Sequence, residues 1–225
     1  MRILNSYRSK TSKPIDIQVE NRISFLADNL VLEGLLHRVP GDKGVIITHP
    51  HSLYGGDMYN PVVETVSRVC AAKGYSTLRF NFRGVGASQG VFDNGCGEER
   101  DVYGAIDFFR NSGVHIVHLV GYSFGARVLA GLDALPGEVV AETYIAPPVA
   151  FMDFSGVGRR AKLRLVIAGE QDEIGPPEHI RKYMPSWNGK ARLMVVKDAD
   201  HFFSTTMTKL EEVLLNQMEN IAHDG

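Results

Sequence analysis

Between His115 and Ala130 the chain reads HIVHLVGYSFGARVLA, and no other stretch restricts the fold so tightly. The apolar, β-branched run Ile116, Val117, Leu119, Val120 reads as a buried strand, and a helix-forming run follows with no residues to spare for a loop. A strand that turns into a helix this abruptly crowds its own backbone, so the positions two before and two after the corner must be nearly free of side chain. Gly121 and Gly125 occupy them. Ser123 sits at the apex, its hydroxyl raised at the carboxyl end of a sheet strand. The first amides of the next helix, from Phe124, point into the same space, which is the geometry of a nucleophile elbow.

The rest of the chain supplies strands and helices in alternation. Arg22 to His37 reads as a hairpin around Asp28-Asn29, and Val45 to Thr48 as a central strand bounded by Gly44 and Pro50. After the loop HPHSLYGGDM a helix is marked by Asn60 as N-cap, Pro61 in the first turn and Gly74 as its stop. Ser76 to Phe82 is the next predicted strand, Glu98 to Asn111 a helix, and the elbow helix runs to about Leu135. Strands at Val139–Ile145, Leu163–Ala168 and Arg192–Val196 follow, with a short helix after Pro176 and Pro177. A closing amphipathic helix carries a capping box at Thr208-Lys209-Leu210-Glu211. Such alternation implies a mostly parallel, doubly wound α/β sheet with helices on both faces and ligands beyond the carboxyl ends of the strands. With 225 residues, 44% of them hydrophobic, one domain over 21–225 is expected, preceded by an arm or first strand at 1–20.

A neutral hydroxyl is a weak nucleophile near pH 7, so a base must take its proton and a third group must orient that base. Two loops at strand carboxyl ends offer both: GEQDEIGPP holds Asp172, and DADHFF holds His201. The order Ser, Asp, His is the one expected for an elbow architecture. Glu170, Glu173 and Asp200 compete for the carboxylate role. The developing oxyanion needs two donors. The Phe124 amide is one; Pro50 has no amide hydrogen, which leaves the amides of His51 and Ser52 for the other.

Four stretches then carry a resemblance: His49-Pro50-His51-Ser52-Leu53-Tyr54-Gly55-Gly56, Phe80 through Gly90, Gly121 through Ala126, and Asp198 through Phe203. From about residue 20 onward the chain resembles the α/β-hydrolase superfamily, within it a small, uncapped bacterial group akin to dienelactone hydrolases in size. Ser52 stands where that group has proline, so the resemblance implies His51 rather than Ser52 as the second oxyanion donor, and Asp198 stands where it has glycine. The resemblance implies Ser123 as nucleophile, His201 as general base and then acid, Asp172 as the orienting carboxylate, and no cofactor. It makes the expected activity that of a serine hydrolase, carboxylesterase- or thioesterase-like, working through an acyl-enzyme on a small acyl substrate. Fewer than twenty residues separate Ile145 from Leu163, too few for a helical cap. Tyr54, Tyr122 and Phe202, with Phe92, Phe151, Phe154 and Ile174, are candidates to line an apolar pocket.

Alternatives stay open beside this reading. The same scaffold can serve as a catalytically idle binding module, or the triad can cut amides. His49 and His51 form an H-x-H pair that could join Asp57 around a metal, but no further ligand is signalled, and no metal is expected. The Gly84–Gly90 turn looks like a dinucleotide loop, yet no helix opens at its end. A net charge of -2 with scattered basic residues gives no grip on nucleic acid, and Cys70 and Cys96 make neither a disulfide framework nor a metal quartet. No run is long enough to span a membrane, and the opening residues lack the apolar segment of a secretion signal, so a cytoplasmic location is expected. An edge strand or the N-terminal arm could mediate a homodimer.

Overall fold

A computed structural model describes residues 19–221, so the predicted N-terminal arm lies outside the described residues except for its last two. Eight strands form one sheet in the order β1-β2-β4-β3-β5-β6-β7-β8. The predicted hairpin is β1 (Asn21–Ala27) and β2 (Leu30–His37). Both turn residues, Asp28 and Asn29, have positive φ, 48° and 64°. A two-residue hairpin needs that twist, and short polar side chains tolerate it. β2 runs antiparallel to β4 (Ser76–Phe80). Through β3 (Lys43–Thr48), β5 (Ile116–Tyr122), β6 (Val139–Ile145), β7 (Leu163–Gly169) and β8 (Arg192–Val196) every pairing is parallel.

Parallel neighbours require crossovers, and four of them are helical: α1 (Pro61–Ala72), α2 (Cys96–Asn111), α3 (Phe124–Gly131) and α4 (Pro177–Asn188), while α5 (Met207–Ile221) follows the last strand. On one face Val62, Val66, Leu210 and Leu214 of α1 and α5 pack over Val45, Ile47 and Val120. On the other, Val102, Phe109, Leu129 and Trp187 of α2, α3 and α4 pack over Ile46, Leu119 and Val166. Covering both faces is why β3 reads as an unbroken apolar run. Among the described residues no helix is long and apolar enough to cross a membrane.

Several predicted boundaries move, β3 starting at Lys43 rather than Val45 and β7 ending at Gly169 rather than Ala168 among them. β4 stops at Phe80 rather than Phe82, because the Phe82 amide leaves the sheet for the His49 ring, 3.0 Å away. α2 starts at Cys96, not Glu98: the buried Glu98 carboxylate reaches back to the amides of Gly95 (2.8 Å) and Asp93 (2.9 Å), winding Cys96 into the first turn. α3 ends at Gly131 rather than Leu135, since Leu132 turns out to ψ 123° and gives its carbonyl to Arg160. α5 starts at Met207, with the Leu210 amide bonded to the Thr206 carbonyl, so the predicted box at Thr208 lies inside the helix. Between β6 and β7, residues 146–162 hold turns but neither helix nor strand.

Candidate active site

β5 ends at Tyr122 and α3 begins at Phe124, leaving Ser123 at the corner with φ 53° and ψ -116°. Few side-chain-bearing residues adopt such a backbone unless their surroundings impose it. Here the Ser123 amide donates to Ile145 O (2.9 Å), and its carbonyl accepts from Ala126 (2.9 Å) and Arg127 (3.2 Å). Both flanking glycines meet the steric demand of the corner. A Cβ on Gly121 would stand 2.7 Å from the Ala126 backbone, and one on Gly125 2.6 Å from the Thr48 carbonyl.

The loops after β7 and β8 lie backbone on backbone: a Cβ on Gly169 would be 2.4 Å from Ala199 O, and the Gln171 amide donates to that same carbonyl at 2.8 Å. Their contact carries two side chains to Ser123. His201 Nε2 is 2.9 Å from Ser123 Oγ, and His201 Nδ1 is 3.0 and 2.9 Å from the two oxygens of Asp172. Facing a carboxylate, Nδ1 carries the ring proton, which leaves Nε2 to accept the serine hydrogen. Asp172 Oδ1 also accepts from the amides of Ile174 (2.9 Å) and Gly175 (2.6 Å), so its carboxylate plane is held. The three side chains are buried, Ser123 being 8% exposed. The competing acids are engaged elsewhere: Glu170 accepts from the Asp198 amide (3.0 Å), Asp200 from the amides of Phe202 (3.1 Å) and Ser204 (2.9 Å), and Glu173 faces solvent. The amides of Phe124 and His51 have no acceptor among the described residues, and both residues line the cleft beside Ser123.

No family model matches the chain. The solved structure of an α/β serine hydrolase homologue from Coxiella burnetii is 33% identical to it, with a TM-score of 0.80 over 88% of this chain and 97% of that one. The chain belongs to the α/β-hydrolase family. A serine hydrolase without a lid from Xanthomonas campestris matches it at 30% identity and a TM-score of 0.78, over 92% of this chain and 97% of its own. An uncharacterised Rickettsia prowazekii protein is 33% identical over 174 residues, 73% of either chain. This α/β hydrolase likewise carries no lid element between β6 and β7.

In this α/β hydrolase the cleft above Ser123 encloses about 360 Å³. Tyr54, Tyr122, Phe151, Ile174 and Phe202 line it; Phe92 and Phe154, predicted to do so, do not. Phe154 is fully buried against Trp187, and Phe92 packs behind the wall on His51 and Phe124. Tyr122 contributes its ring, while its hydroxyl donates to His201 O (3.1 Å) and steadies that loop. Pro148, Met152 and Asn60 also line the cleft, and among the described residues no Asp, Glu, Lys or Arg does. Met152 had a readable signal, since it follows Phe151 in the same short link.

The H-x-H pair has other work. His49 Nε2 accepts from the Phe82 amide (3.0 Å), so Nδ1 carries the hydrogen and donates to Pro50 O (2.6 Å). Burial pushes the His49 ring down to about 4 and keeps it neutral. Asp57 accepts from the Tyr59 amide (2.8 Å), and among the described residues no group of three or more His, Cys, Asp or Glu is placed to hold a metal. Just before the 84–90 turn, Arg83 is tied to Asp101 through its guanidinium (2.8 Å) and its amide (2.9 Å). Asn81, marked by no sequence signal, holds the far end of the β3–α1 loop: its Oδ1 accepts from the Met58 amide at 2.8 Å.

Proposed function

We propose that this α/β hydrolase cleaves small, uncharged carboxylic esters through Ser123, with His201 as base and then acid and Asp172 as orienting carboxylate. The observation that carries the reading is the unbroken series Ser123 Oγ to His201 Nε2, 2.9 Å, and His201 Nδ1 to Asp172, 2.9 Å. Ser123 Oγ attacks the ester carbonyl as His201 takes its proton. The tetrahedral oxyanion is received by the amides of Phe124 and His51, and His201⁺ returns the proton to the departing alkoxide. Water, deprotonated by His201, then attacks the acyl-enzyme and releases the acid and Ser123. The lining supports an apolar acyl group: Tyr54, Phe151, Met152 and Phe202 offer ring and thioether surface, and among the described residues no Lys or Arg stands in the cleft wall to bind a carboxylate or the phosphates of a coenzyme thioester. Esters are therefore favoured over such thioesters.

A fluorophosphonate probe tests the nucleophile. Covalent mass is expected on Ser123 and none on Ser123→Ala, whose turnover of p-nitrophenyl esters should fall by about a million-fold, as in a triad stripped of its serine. An unlabelled Ser123 would return the chain to a binding role, and a variant that retains its rate would remove Ser123 as the nucleophile. Graded p-nitrophenyl esters run against acyl thioesters test the substrate class.

A further inference from the structure

We infer that the buried His49 ring is a positioning residue for the oxyanion hole, aiming the His51 amide at the cleft by holding the carbonyl of the same peptide unit. The inference rests on the reading of Ser123, Phe124 and His51 given above. The Pro50 carbonyl and the His51 N–H belong to one planar peptide group, and no cis bond occurs among the described residues. In a trans peptide these two dipoles point in opposite directions, so whatever fixes the carbonyl also fixes the amide. His49 Nδ1–H grips Pro50 O at 2.6 Å.

The ring is held, because its other nitrogen accepts from the Phe82 amide at 3.0 Å and it packs against the Phe82 ring in a T-shaped pair with centroids 4.7 Å apart. His49 is wholly buried, and the protonation state in which one nitrogen donates and the other accepts is the neutral one that burial favours. A hydrogen bond to a peptide carbonyl also polarises the amide on its far side, which strengthens the His51 N–H as a donor. Two contacts close the frame around this peptide. The His51 carbonyl accepts from the amides of Tyr54 and Gly56, both at 3.0 Å. Gly56 lies so close to the peptide that a Cβ there would stand 2.2 Å from Pro50 O. The His51 amide itself is left without an acceptor among the described residues, as a group awaiting a substrate oxygen must be.

Amide side chains split the two bonds of the ring. In His49→Asn the amide nitrogen lies near the place of Nδ1 and can donate to Pro50; in His49→Gln the amide oxygen reaches toward Phe82 but the donor to Pro50 is lost. We expect kcat of the Gln variant to fall about a hundredfold, the scale of one lost oxyanion donor, with KM little changed and the Asn variant within tenfold of the wild type. Affinity for a trifluoromethyl ketone, whose adduct with Ser123 carries the oxyanion, should fall with kcat, while affinity for the product acid stays constant. Gly56→Ala, which displaces the same peptide without touching His49, should lose kcat and ketone affinity together, and it decides the matter if the His49 variants fail to fold. A purely structural ring would make losses follow thermal stability and spare the ketone-to-acid ratio; that result, or a Gly56→Ala protein with full kcat, overturns the inference. Ser123→Ala, run alongside, separates the levels. A rate that depends on Ser123 but ignores His49 and Gly56 removes only this inference, whereas a rate that ignores Ser123 removes the active-site reading and this inference with it.

Discussion

A serine held at φ 53° costs about 1–3 kcal/mol of backbone strain, and the corner withstands it because Gly121 and Gly125 let α3 and the end of β3 close around it. Those glycines were legible in the sequence because the demand is steric and local. The Asp172–His201 pairing was legible for another reason: each residue follows a strand by a few positions, and a parallel sheet gathers such loops at one edge. The His49 bond left no trace, since its partner is a backbone amide 33 residues on, and every residue but proline has one. Phe151 and Phe154 were equally indistinguishable as aromatics in one link, yet one forms the rim and the other is core. Asp172→Asn tests the carboxylate. Its amide fits the same space but favours the wrong ring tautomer, so kcat should drop about ten-thousandfold with little change in melting temperature. A variant that keeps a tenth of its rate on p-nitrophenyl esters would shift the role to another acid.

At the level of elements, boundaries set by neighbours in sequence could be read and those set by distant groups could not. α1 begins where Asn60-Pro61 predicts, with Asn60 Oδ1 accepting from the Val62 amide at 2.9 Å, and it stops before Gly74 at φ 83°. The ends of α3 and α5 depend on the Arg160 guanidinium and on how the Thr206 turn leaves the His201 loop, neither of which local composition reveals. Asn60→Ala should therefore cost about 1 kcal/mol, or roughly 2–4 °C in melting temperature for a chain of this length. Asn60→Asp, which keeps an oxygen at the cap, should stay within experimental error of the wild type in the same calorimetric scan; an Ala variant as stable as the wild type would show the cap to be idle.

For the molecule as a whole, two neutral histidines are enclosed in the sheet and its loops. Burial pushes His49 down to about 4, and burial, reinforced by the charge of Arg164, pushes His118 down to about 3. In the unfolded chain each would titrate near 6.5. As pH falls below that value the unfolded state gains protons that the folded state refuses. Their contribution is complete above about pH 6.5 and declines toward pH 4 and 3, at about 1.4 kcal/mol per pH unit for each ring. Urea midpoints measured at pH 7 and pH 5 should show this loss. A His118→Gln protein should show about half of it; an unchanged loss would mean that ring plays no part. The bare link at 146–162 bears on what happens once an acyl group is attached to Ser123. With no lid element between β6 and β7, the acyl-enzyme of the proposed mechanism would stay in contact with the bulk medium, and any small alcohol dissolved there would compete with water for it in proportion to concentration. On that mechanism an open roof would make the solvent a co-substrate, and the product a matter of what the protein is bathed in.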